Sequence, residues 1–178
     1  AATQLNSSHY FQRPDASHLT YDPTRNSLSG HIGELAFAKT GSVYGSLAYK
    51  EASPGLELND MGFEGRADFR AVSTDIAYQD YQAGKHFRSF GAYGYSNHTW
   101  NFGGNSIFQS IAGGAYATFT NLWNVGLNVG VNPSYYSDRL TRGGPLARLP
   151  SGWNVSINFG SDTRKPISVS AEAGTSGN

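Results

Sequence analysis

Residues 121–132 read "NLWNVGLNVGVN". From Trp123 every second residue is apolar: Trp123, Val125, Leu127, Val129 and Val131. Between them stand Asn124, Gly126, Asn128, Gly130 and Asn132. A period of two marks a β-strand with one apolar and one polar face, because successive side chains point to opposite sides of a sheet. A polar face that meets bulk water usually carries Lys, Glu or Thr. This one carries amides and glycine, with no charge at all. The stretch therefore raises the question of which medium each face meets.

The same absence of charge extends on both sides. From Ser89 to Ser137 there is no Asp, Glu, Lys or Arg, a run of 49 residues. Ordinary composition would place about a dozen charges in such a span. The whole chain of 178 residues is 15% charged, with 22 glycines and 13% aromatics. No stretch of about 18 continuous apolar residues occurs, as a membrane-crossing helix would require. Uncharged, alternating, glycine-rich sequence is instead the pattern of membrane-spanning β-strands. Lys+Arg and Asp+Glu number 13 each, so nothing points to nucleic acid as a partner. The absence of cysteine excludes disulfides and thiol catalysis. The opening "AATQLNSSHY" lacks the basic start and apolar stretch of a secretory leader, so we expect a mature chain, an intracellular one or a piece of something longer.

Alternation recurs along the chain and predicts strands at about 3–12, 28–39, 42–52, 69–80, 86–97, 105–119, 122–132, 152–161 and 167–176. In "GWNVSINFGS", Trp153, Val155, Ile157 and Phe159 oppose Asn154, Ser156, Asn158 and Gly160. In "FRAVSTDIAYQDY", Val72, Thr74, Ile76 and Tyr78 oppose Ser73, Asp75, Ala77 and Gln79. Strands 3–12 and 86–97 carry aromatics on both faces. Connections alternate between long (13–27, 53–68, 133–151, with 97–105 taking the long side in order) and short (40–42, 82–85, 120–122, 161–166). That rhythm fits an outer-membrane barrel, with tight turns on one side and extended loops on the other. The seven prolines fall in connections or at a strand start. Trp100, Tyr116, Phe119, Trp123 and Trp153 lie near strand ends, where interface girdles form.

The expectation is an all-β antiparallel meander occupying residues 1–178, a segment of a transmembrane outer-membrane β-barrel. The competing reading is a soluble all-β carbohydrate-binding module or sandwich, which also has many short strands. Nine strands is an odd number, and the ending "SVSAEAGTSGN" has no terminal aromatic. Both suggest part of a larger barrel, or one strand misassigned.

Four stretches carry a resemblance: "LTYDPTRNSLSGHIGELAFAKTG", "GSLAYKEASPGLELNDMGF", "NHTWNFGGN" and "NPSYYSDRLTRGGPLARLP". From about Leu19 to Lys165 the chain resembles an uncharacterised family of Gram-negative proteins, usually described as a domain of unknown function. In that family a carbohydrate-binding domain of the family-9 type precedes an outer-membrane β-barrel. The resemblance implies that this chain belongs to the barrel part. The family is sometimes called a hydrolase, but no catalytic residue carries over to this chain.

Candidate sites follow from the barrel reading. Glu34, Lys50, Asp75 and Glu172 are isolated charges within strands and should point to a lumen, together with Asn124, Asn128, Asn154 and Asn158. There the charges would set ion selectivity, or simply be solvated or paired across strands. The loop "SPGLELNDMGFEGRADFR" gathers Glu57, Asp60, Glu64, Arg66, Asp68 and Arg70. It reads as a calcium or polar-ligand loop, or as a solvated loop that neutralises itself with ion pairs. The loop 133–151 holds Tyr135, Tyr136, Asp138, Arg139, Arg142 and Arg148. Tyrosines beside arginines suit sugars and the phosphates of lipopolysaccharide. The same loop can also fold inward and narrow a pore, or stand exposed without a ligand. The five histidines form no close pair of zinc-site spacing, and no G-x-S-x-G occurs. No metal, cofactor or catalytic residue is expected. The expected partners are membrane lipid and a small polar solute such as a saccharide, in a Gram-negative outer membrane.

Overall fold

The computed structural model describes residues 15–20, 22, 24–56 and 65–178. Ten strands account for its regular structure: β1 (Ile32–Lys39), β2 (Val43–Ala52), β3 (Phe69–Asp80), β4 (Phe87–Trp100), β5 (Ser106–Phe119), β6 (Asn124–Asn132), β7 (Tyr135–Ser137), β8 (Ala147–Leu149), β9 (Gly152–Gly160) and β10 (Ser170–Gly177). No helix occurs among the described residues. Eight strands form one sheet in the order β1-β2-β3-β4-β5-β6-β9-β10, every neighbour antiparallel. β7 and β8 pair separately, inside the connection from β6 to β9. The all-β antiparallel meander is therefore observed. β1 and β10 are the two edges of the sheet among the described residues. The expected strand at 3–12 lies outside the described residues. The strand expected from 28 begins at Ile32.

Turns explain the alternation of ends. Connections 40–42, 81–86, 120–123 and 161–169 lie at one end of the sheet, and 53–68, 101–105 and 133–151 at the other. Gly41 takes a φ of 132° in the first tight turn, a conformation that costs glycine nothing. In the turn 120–123, Leu122 adopts a φ of 66° and the Asn121 side chain accepts a hydrogen bond from the Trp123 amide at 3.1 Å.

The register is sheared. One row of paired residues runs Lys39, Gly45, Ile76, Gly94, Gly113, Val129, Val155, Thr175. It enters at the last residue of β1 and leaves near the last residue of β10, which lies at the opposite end of the sheet. Strands stepped in this way are what a tilted, curved sheet requires.

The sheet is a single layer. Its apolar face includes Phe37, Ile76, Leu127 and Ile157, which are 62%, 60%, 44% and 49% exposed. Buried apolar residues are instead few and small, and they gather mainly at the long-loop end: Ala16 with Leu19, and Ala52 with Leu56, Ala67 and part of Phe69.

Candidate functional site

Cross-strand pairing sets side chains on a common face, so the register decides which residues meet. Asn124, Asn128, Asn154 and Asn158 share one face. The same rows carry Glu34, Lys50, Asp75 and Glu172 to that face. Glu34 and Lys50 lie 3.8 Å apart, and both are exposed, so this pair contributes at most about 1 kcal/mol. Asp75 accepts a hydrogen bond from the Ser46 hydroxyl. No charge stands on this face of β4, β5, β6 or β9 from Ser89 to Gly160.

The glycines of this face have a definite use. Asn124 pairs with Gly160, Asn158 with Gly126 and Asn154 with Gly130. A Cβ at any of these glycines would run into the opposing amide group. Likewise Tyr116 lies across Gly91, where a Cβ would meet its ring at 2.7 Å. Tyr93 crosses Gly114 to donate to Asn128, whose amide reaches the Ser156 hydroxyl at 3.4 Å. Large polar side chains thus lie flat over glycines of the next strand. Their hydrogen-bonding groups form a low, neutral surface of amides and hydroxyls. Tyr116 belongs to this face and not to a girdle at the apolar surface. Its position near a strand end is no guide to its face, whereas its alternation with Ala115 and Ala117 is.

Aromatic side chains also mark the two ends of the sheet. Near the short turns, Tyr78, Phe90, Phe87 and Phe119 form a chain of ring contacts with centroids 5.2 to 6.0 Å apart. Trp123 packs on Phe159 at 4.8 Å. At the long-loop end Trp100 stacks with His98, and Arg70 sits over the Phe102 ring at 4.1 Å.

The two candidate loops meet at that long-loop end. Arg66 forms a two-pronged ion pair with Asp138, one arm being 3.1 Å long. Arg139 donates to the Gly65 carbonyl at 3.1 Å. Burial pulls the Arg139 guanidinium below its ordinary value and the neighbouring Arg66 adds to this, while Asp138 and Asp68 oppose it. Asp68, 1% exposed and at a φ of 57°, accepts from the Phe102 amide at 2.9 Å and from His18 at 3.0 Å. Asn101 is fully buried beside it, its oxygen accepting from the Asn105 amide at 2.9 Å. Asp15 accepts from the Leu146 amide at 2.8 Å. Arg66, Asp68, Asp138 and Arg139 therefore spend hydrogen bonds on one another and on backbone groups. Arg142 is exposed at the turn of the same loop with a φ of 50°, and Tyr136 is exposed on β7. Asp60 lies outside the described residues. Among the described residues no three His, Asp or Glu side chains converge as a metal site.

The sequence reading missed His18, Asn101 and Phe108. Phe108 offered a signal: it is a bulky aromatic beside the small residues Ser110, Ala112 and Gly114 on the same face. Its ring meets Tyr135 of β7 at 5.8 Å.

These features define an all-β protein built on one antiparallel meander sheet with a polar and an apolar face. The chain belongs to the family described as Domain of unknown function (DUF5916), which matches residues 1–177. No match is found among curated proteins or solved structures.

Proposed function

We propose that the sheet is part of the wall of an outer-membrane β-barrel, with its apolar face toward lipid and its polar face toward a wet lumen, and that the protein passes or binds a small polar solute. One observation carries this reading: the apolar face stays uncovered across all eight strands. A soluble carbohydrate-binding module would need a second layer over Phe37, Leu47, Ile76, Leu127 and Ile157, since water-soluble monomers rarely leave so broad an apolar patch exposed. The band has a suitable height. On the apolar face of β3, Arg70 and Asp80 are the nearest charges, ten residues apart, with Val72, Thr74, Ile76 and Tyr78 between them. At about 3.3 Å per residue and a tilt of about 40°, that separation projects to about 25 Å, the height of an apolar belt on an outer-membrane barrel. Aromatic rings at both ends supply the girdles.

The solute follows from the polar face. Hydroxyls and amides that both donate and accept suit an uncharged polyhydroxy solute, so a saccharide is the class that fits. The family resemblance, which implies a preceding carbohydrate-binding domain, points the same way. Once Glu34 and Lys50 offset each other, Asp75 and Glu172 remain as the charges of the sheet's own polar face. No catalytic role is proposed for any residue.

Spin labels test the reading. Labels at Val125, Leu127, Val129, Val155 and Ile157 should respond to oxygen dissolved in the bilayer. Labels at Asn124, Asn128 and Asn154 should respond to an aqueous relaxation agent. Equal aqueous access at both sets would overturn it.

A further inference from the structure

The connection 133–151 lies over the polar side of the sheet and not over its apolar side. Phe108 identifies the side: it pairs with Thr99, in the same rows that set Asn97 against Ser110 on the polar face. β7 packs against β5, and its Tyr135 meets the Phe108 ring edge-on. The far flank of the connection is fastened as well. The Arg66–Asp138 pair ties it to the loop before β3, with Asp138 buried. Arg139 holds the Gly65 carbonyl, and the Leu146 amide donates to Asp15. Within the connection, Ser137 accepts from the Leu140 amide at 3.1 Å and Arg148 donates to Ser134 at 3.1 Å. A 19-residue segment secured at both flanks is not a freely waving loop.

We infer that the β7–β8 hairpin is the constriction of the passage, and that the Arg66–Asp138 pair is the latch that holds it there. The inference rests on the lumen reading above and adds the element that sets the size limit. A guanidinium and a carboxylate joined through two hydrogen bonds fix both position and orientation, which a single contact would not. Because Asp138 is buried, loss of Arg66 strips both guanidinium hydrogen bonds from its carboxylate in a poorly solvated place and frees the hairpin to move. The Tyr135–Phe108 contact then serves as the hinge side of the seat. Uncharged sugars are the appropriate probes, since the polar face of β4–β6 and β9 carries no charge.

The test uses the full protein, purified in detergent and reconstituted in phospholipid vesicles, with release of sugars of increasing size as the readout. Arg66→Ala should leave the release of a monosaccharide nearly unchanged and raise that of a tri- or tetrasaccharide several-fold. The swap Arg66→Asp with Asp138→Arg should restore the original cut-off, which a merely misfolded loop would not do. Cysteines placed by Phe108→Cys and Tyr135→Cys should be joined by a short flexible bis-maleimide cross-linker and keep the wild-type cut-off even when Arg66 is replaced. An unchanged cut-off in Arg66→Ala, or failure of the cysteine pair to join in inserted protein, overturns the constriction. Failure of the wild-type protein to insert at all overturns the barrel reading on which it stands, and spin-label accessibility separates the two.

Discussion

The long-loop end and the sheet bury their residues in opposite ways. At the loop end Asp68, Asn101 and Asp138 are buried and polar; Asp68 and Asp138 are held by partners from distant segments, and Asn101 by its own turn. In the sheet, Leu35, Ile76 and Val129 lie open on one face. A water-soluble fold does the reverse: it hides its aliphatic side chains and leaves its acids outside. The contrast makes sense if the loop end is a small solvated structure that needs its own packing, and the sheet takes its apolar surroundings from elsewhere. Replacing residues in each region separates these two sources of stability.

The largest effect should come from Leu127→Arg, at the middle of β6 on the apolar face. In a bilayer it should cost about 2–4 kcal/mol. On a water-facing surface the same change would stay within about 0.5 kcal/mol. Urea unfolding in vesicles, followed by the heat-modifiable shift on a gel, distinguishes the two. A neutral result would collapse the contrast between the regions.

Asp68→Ala should come next. It strips the acceptor from the Phe102 amide and from His18 in a buried place and puts alanine at a φ of 57°. The cost should reach about 3 kcal/mol, confined to the loop end. Hydrogen exchange should therefore rise at 101–105 while β6 and β9 keep their protection. Loss of protection across the whole sheet would show that the two regions are not separate.

A smaller effect is expected within the sheet. A Cβ at Gly114 would lie 2.5 Å from the Leu127 carbonyl, whereas at Gly33 it would meet nothing within 4 Å. Gly114→Ala should cost about 1 kcal/mol by forcing β5 from β6, and Gly33→Ala should cost nothing measurable. Equal midpoints for the two variants in denaturant would mean that the strands are not packed as closely as Gly114 indicates.

The smallest lies in the short turn 161–169. Asp162 takes two hydrogen bonds from the Arg164 side chain and one from its amide, which lowers its carboxyl from an ordinary 3.8 to about 2. A depressed pKa means that the folded turn favours the ionised form. Its contribution is complete above pH 4 and fades as pH falls toward 2. A carbon-detected titration of Asp162 should give a midpoint well below that of an exposed aspartate. A midpoint near 4 would dissolve the turn's internal clasp.

The alternation in "NLWNVGLNVGVN" and "GWNVSINFGS" was enough to read β6 and β9, because a strand's two faces are written locally. The ends of β1 and β4 were less legible, since pairing partners decide where a strand stops. The β7–β8 hairpin was not legible as strands. Each arm has three residues, too few for a period of two to declare itself. The Arg66–Asp138 pair joins residues 72 apart in sequence, and nothing local in either loop announces the other. The charges of both loops were visible as candidates. Their partners were not, because those partners are a property of how the meander brings its long connections to one end.

The pairing of amides with glycines across β6 and β9 bears on how the chain assembles. On the apolar face, Val125, Leu127, Val129 and Val131 meet Phe159, Ile157, Val155 and Trp153, and any of these would tolerate another of its kind as a neighbour. On the other face, a slip of two residues would set Asn124 against Asn158 and Asn128 against Asn154, and would leave Gly130 facing Gly152. Two crowded rows and one hollow row would replace a fitted surface. A slip of one would turn every side chain to the wrong medium. The chemically plain face therefore acts as a vernier scale for the growing sheet: it lets the strands recognise their correct alignment, while the greasy face only tells them which way to point.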